Sequence, residues 1–339
     1  TPASDLTVRA ISVPTPSALE SAFDEGNMLV EAGDLGKAIE SFTRAITLDP
    51  GSAEAYVSRG NAYAGLRQYE RAVEDYDEAI RVDPQSADAF RNRGVAYVDL
   101  GDPESAFRDY DEAIRLAPEL AEAYYNRGVL FTFLGQFDEA LEDLDKALRI
   151  DPELAEAYGN RGNIYAEAGQ YERAIVDYDE IIRLAPGDAQ AYYNRALAYG
   201  DMGQYEGAIQ DFDSTIRLDP MGIDGYRGRS AAYGNLGRFQ EAIADLDQVI
   251  RLDGADPQAY YNRGFAFTVL GEYEQAAIDL DAAIRLEPEA PIGYVARGFI
   301  YLNQGRPDLA IADLDEAIRL GPEIADAYVN RALAYTLMS

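Results

Sequence analysis

The chain has 339 residues, 47% of them hydrophobic, enough to bury a large apolar area but more than one ordinary globular core uses unless it is built from repeats. With 61 acidic against 29 basic residues its net charge is -32, which repels nucleic acid and anionic lipid and favours neutral or basic partners. It has no Cys and no His, which excludes disulfides, thiolate and imidazole metal ligands, cysteine nucleophiles and histidine bases together.

Residues 1–18 contain Pro2, Pro14 and Pro16 and read as an extended segment rather than a helix. Leu6, Val8, Ile11 and Val13 make it apolar and β-prone, which suits a segment that docks somewhere, including on a neighbouring copy. No apolar run approaches the length a bilayer core requires, and no basic segment precedes an apolar one near Thr1, so the chain reads as soluble. Its compartment stays open between an exported or cell-surface location and a cytoplasmic one.

From Leu19 to Ile324 the sequence matches itself at an offset of 34 without insertion or deletion, giving nine units, and 325–339 begins a tenth. Each unit carries two apolar-periodic stretches, helix A and helix B, such as Ala53 to Gly65 and Tyr69 to Val82 in the second. Gly recurs at position 15 of the unit, where helix A ends, with Arg67 the exception. Pro recurs at position 32, where helix B must stop, with Gly254 the exception. The segment 325–339 is helix A of an incomplete repeat.

In the third unit Phe90, Arg93-Gly94, Tyr97, Ala106, Tyr110, Ala113 and Pro118 stand at the spacing of the tetratricopeptide repeat, which the chain resembles over about nine-tenths of its length. The resemblance implies an all-α, right-handed superhelix of stacked antiparallel hairpins, an α-solenoid with the A helices along its concave side. It implies a protein-protein interaction scaffold, not an enzyme, and no cofactor or metal. One branch of the family grips acidic C-terminal peptides of chaperones with lysines, an arginine and two asparagines. Asn61 and Asn92 match the asparagines, but Val57, Glu122 and Asn126 occupy the cationic positions, so that clamp is absent.

One departure from the family pattern is systematic: position 7 is Arg in every unit after the first, from Arg59 to Arg331. Units two to nine also carry Asp at positions 23 and 25, such as Asp143 and Asp145, whereas the first unit has Glu25, Ser41 and Thr43 at the three places. Their joint absence points to contact. The expected partner of the arginine is the position-23 aspartate, with position 25 as second choice; anion capture and Ca2+ binding are the functional alternatives.

Position 6 lies on another side of helix A, toward the groove. It holds Asn92, Asn126, Asn160, Asn194, Asn262 and Asn330, a ladder of carboxamides that could pair with the N–H and C=O groups of an extended peptide without reading its side chains. Tyr125, Val129 and Phe133, then Tyr193, Tyr261, Phe265 and Phe299, are expected to add aromatic and apolar surface along the same groove. The predicted site is thus a peptide-binding face for a neutral or basic protein. The alternatives are a homo-oligomer or filament built through residues 1–18 and the last helix, a monomeric adaptor, or a glycan- or Ca2+-binding surface protein.

Overall fold

A computed structural model describes residues 18–338. Among the described residues every element is a helix, and the helices follow one another as hairpins. In chain order these are α1 (Ala18–Glu31) with α2 (Leu35–Leu48), α3 (Ala53–Gly65) with α4 (Tyr69–Val82), α5 (Ala87–Asp99) with α6 (Pro103–Leu116), and α7 (Ala121–Phe133) with α8 (Phe137–Ile150). Next come α9 (Ala155–Glu167) with α10 (Tyr171–Leu184), α11 (Ala189–Asp201) with α12 (Tyr205–Leu218), and α13 (Ile223–Asn235) with α14 (Phe239–Leu252). Last are α15 (Pro257–Val269) with α16 (Tyr273–Leu286), α17 (Pro291–Asn303) with α18 (Pro307–Leu320), and α19 (Ala325–Met338), a helix A. The expected extended segment 1–18 lies outside the described residues except for Ala18, which already belongs to α1.

The chain divides into two compact units, one ending at Ala157 and one beginning at Tyr158. Each is a stack of hairpins in which helix B packs on its own helix A and on the next one, as α4 does on α3 and α5 and α12 on α11 and α13. In the first unit successive A helices also touch, α3 with α5 and α5 with α7. In the second, α11 touches α13, α15 touches α17 and α17 touches α19. B helices make no comparable contact with one another, so in each unit the A helices form the inner row.

Small residues set how closely A and B approach. Ala106 and Ala113 are fully buried, and a Cβ on Gly94 would lie 2.6 Å from Cε1 of Tyr110, so a bulkier residue there overpacks the hairpin. The turn from A to B needs a left-handed residue at position 15; Gly101 supplies φ 76, and Arg67 is held at φ 58 without the freedom of glycine.

Candidate functional site

The geometry of the position-7 arginines determines which side chains remain for a ligand. Arg93 donates through Nε and Nη2 to both oxygens of Asp109 at 2.8 and 2.7 Å, and through Nη1 to Asp77 at 2.5 Å. Asp109 is the position-23 residue of its own repeat, and Asp77 is the position-25 residue of the repeat before. Arg127 repeats this with Asp143 and Asp111, and Arg263 with Asp279 and Asp247. Both expected partners are therefore used at once, one within the hairpin and one across to its predecessor. Arg59 follows a first repeat that has Thr43 at position 25, and its Nη1 donates to that hydroxyl at 3.1 Å.

The fork is half-buried and also stacks on aromatics: the guanidinium carbon of Arg93 lies 5.4 Å from the Phe90 ring centre. Contact with Asp143 and Asp111 holds Arg127 above the usual arginine range. Burial pushes the carboxyls of Asp109 and Asp245 up, against the arginine that pulls them down. Aspartates engaged in this way offer little to a cation, and no cluster of metal-ligating side chains occurs among the described residues.

The predicted asparagines lie on the inner row, but Asn92, Asn126, Asn160, Asn194, Asn262 and Asn330 are half-buried rather than fully exposed. The neighbouring A helix accounts for this at two of them. Asn92 Nδ2 donates to Oδ1 of Asn61 at 2.9 Å, and Asn194 Nδ2 donates to Oδ1 of Asn163 at 3.4 Å. The same acceptors are held from below by core hydroxyls, Tyr76 to Asn61 at 2.8 Å and Tyr178 to Asn163 at 2.9 Å. Gln190 and Gln258 each donate to the position-6 amide of their own helix, Asn194 and Asn262, at 2.7 Å. Asn61, Asn163, Gln190 and Gln258 are thus members of the polar row that the 34-residue ladder did not include. For Asn61 and Asn163 the signal was present: an Asn at position 9 fifteen residues before a position-24 tyrosine.

The ladder has a gap at Gly228, and the core supplies the reason. In four repeats a position-24 ring leans on the position-8 glycine of its own repeat: Phe42 on Gly26, Tyr76 on Gly60, Tyr110 on Gly94 and Tyr178 on Gly162. The sixth repeat has Ala196 there instead, and its Phe212 ring lies against Gly228 of the next repeat, where a Cβ would collide with Cε1 and Cζ. An asparagine at 228 would meet that ring.

The predicted aromatics divide into two kinds. Tyr193 is half-buried against Phe212 with ring centres 5.9 Å apart, and burial pushes its hydroxyl and that of Tyr261 upward. Phe265 and Phe299 are 54% and 42% exposed and free for contact. In the first unit Tyr125, Asn126 and Val129 line a cleft of about 310 Å³ with Val95, Val98 and Phe133, the last 84% exposed. In the second unit two clefts flank α13. One of about 420 Å³ is walled by Leu197, Asp201, Tyr205 and Phe212, and one of about 300 Å³ by Phe239, Leu246, Asn262 and Phe265. Ala231 and Asn235 border both.

Comparison with known proteins agrees with this architecture. Tetratricopeptide repeat models match residues 23–87, 57–121 and 295–337, then 121–154, 144–176, 162–232 and 257–290, and a TPR repeat model matches 232–271. A tetratricopeptide repeat protein from Parabacteroides merdae is 24% identical, covers 74% of this chain and 99% of its own, and superposes with a TM-score of 0.53. The C-terminal part of a TPR repeat-containing protein from Cytophaga hutchinsonii is 19% identical over 71% of this chain and 98% of its own, with a TM-score of 0.58. These two share the fold. YrrB, described as a TPR protein with an unusual peptide-binding site, is 26% identical over 56% of this chain and 98% of its own; at a TM-score of 0.47 its site does not transfer. Among curated proteins none matches the chain.

Proposed function

We propose that this chain, which belongs to the tetratricopeptide repeat family, is a non-enzymatic scaffold that binds extended peptide segments, neutral or basic, across the inner faces of its A helices. Proteins of this repeat are typically scaffolds for protein-protein interaction, and the fold suits peptide binding. Among the described residues no helix is long and apolar enough to cross a membrane.

The observation that carries the reading is the polar row itself. Asn92 is oriented by Asn61 and Asn194 by Asn163, each acceptor held in turn by a core tyrosine hydroxyl, so these two amides are ordered before a ligand arrives. An ordered donor and acceptor one repeat apart can bond a backbone without selecting its side chains. The test is a titration with a fluorescent, unstructured arginine-containing peptide. Replacing Asn126, Asn160 and Asn194 with Ala weakens binding about tenfold and leaves helicity intact, at about 1 kcal/mol or less per lost bond. Added salt weakens it further, because the net charge of -32 attracts the cation. Equal affinity of parent and triple variant contradicts the reading.

A second reading is self-association, with residues 1–18 of one copy as the peptide for another. It is argued from the apolar Leu6, Val8, Ile11 and Val13 of that segment. Light scattering over a concentration series, with and without residues 1–18, tests it; a chain that stays monomeric throughout removes it.

A further inference from the structure

Two clefts lie side by side on α13 in the second unit, and we infer that they form a paired side-chain site for a peptide in the polyproline conformation, with two bulky apolar residues three apart and a cation beside them. This rests on the peptide-binding reading and adds side-chain selectivity to it.

On this face α13 contributes only small groups: Ala231 lines both clefts and Gly234 the second, at the positions that Val95 or Val129 and Val98 hold in the first unit. Their walls are not small. Tyr205 and Phe212 on α12 floor the first, Phe239 and Leu246 on α14 floor the second, and the exposed rings or branches of Leu197 and Phe265 stand at the outer rims. Each therefore fits an aliphatic or aromatic side chain.

Spacing selects the conformation of the ligand. The two clefts are one A helix apart, and packed helices lie about 8–10 Å apart. Side chains three apart in a polyproline helix point the same way and stand about 9 Å apart. Side chains on one face of a β-strand repeat at about 7 Å and fall out of step. The polyproline backbone also leaves its carbonyls unbonded, and the Asn262 amide on the rim, its Oδ1 occupied by Gln258, turns its Nδ2 donors to such an acceptor. Charge fixes the flank: Asp201 is the one ionised residue lining either cleft, and no cation lines them. A peptide with Arg or Lys next to its first apolar residue matches that rim.

The probes are fluorescein-labelled 12-residue peptides of Pro, Ser and Arg carrying two leucines. Leucines three apart are expected to bind about tenfold more tightly than leucines two apart. Ala231→Phe, which fills both clefts, removes that preference while the weaker, spacing-independent binding persists and remains sensitive to the Asn126, Asn160 and Asn194 triple substitution. Phe265→Ser, at an exposed ring, reduces the preference without risk to the core, and Asp201→Asn lowers the advantage of an arginine flank over a glutamate flank. Equal binding of the two spacings, or a preference that survives both Ala231→Phe and Phe265→Ser, overturns the inference and leaves the general reading standing. Failure of every peptide to bind overturns both.

Discussion

Positions 6 and 7 are adjacent in every A helix, yet one lies on the inner row and the other looks into the packing between hairpins. Position 7 is arginine from Arg59 to Arg331, and where a full repeat follows it makes the same fork. Position 6 varies: six asparagines, but Gly228 and Ala296 in the second unit and Asp24 and Ser58 in the first. The comparison teaches that uniformity belongs to the contacts that hold repeats together, because each interface repeats the same geometry. Variation occurs on the inner face, where the demand differs from repeat to repeat: the Phe212 ring excludes a side chain at Gly228, whereas Asn92 bonds to Asn61 of the neighbouring A helix.

The largest expected effect breaks the uniform side. Asp279→Ala strands the Arg263 guanidinium, which keeps only Asp247, and costs about 3 kcal/mol in urea unfolding. Replacing Arg263 and Asp279 together with leucine recovers most of that, since no buried charge is left alone. An Asp279→Ala chain as stable as its parent contradicts the packing role of the fork.

Gly228→Asn tests the variable side. It extends the ladder in sequence but drives Cβ into the Phe212 ring, so it overpacks by about 2 kcal/mol, and Phe212→Leu relieves the loss. Undiminished stability of Gly228→Asn alone removes this account of the gap.

The hydroxyls that join the two sides give a pH signature. Burial pushes Tyr178 up to about 12 from an ordinary value of 10.0, and raises Tyr76 and Tyr110 as well. The unfolded chain therefore loses these protons first. Stability is whole below the unfolded value and falls as pH rises through the folded one, by about 1 kcal/mol per tyrosine midway through that interval. Unfolding midpoints measured from pH 9 upward should show the decline, and Tyr178→Phe should make it shallower.

The smallest effect is local. Arg67→Gly relieves the left-handed turn and raises stability by about 1 kcal/mol, read as a shifted urea midpoint.

Much of the fold was legible in the sequence, because the 34-residue period, Ala106, Ala113 and the position-15 glycines each state a packing or turn requirement directly. The pairing of Arg93 with Asp109 was legible too, from what the first repeat lacks. Its second bond was harder, because Asp77 lies sixteen residues before Arg93 just as Asp109 lies sixteen after it, and separation alone does not say that both are bound. The position-6 row could be located, but not its burial or its support by Asn61 and Asn163, which depends on which core positions are tyrosine. The clefts on α13 were not legible: small residues such as Ala231 and Gly234 border them, and their walls are supplied by other helices.

Hydrogen–deuterium exchange of the chain with and without a saturating arginine-containing peptide tests most directly whether the inner face is the binding face. The account predicts added protection in A helices, α5 and α7 of the first unit and α11, α13 and α15 of the second, with the B helices α6, α12 and α14 unchanged. Protection confined to the B helices, or none at saturation, would contradict it.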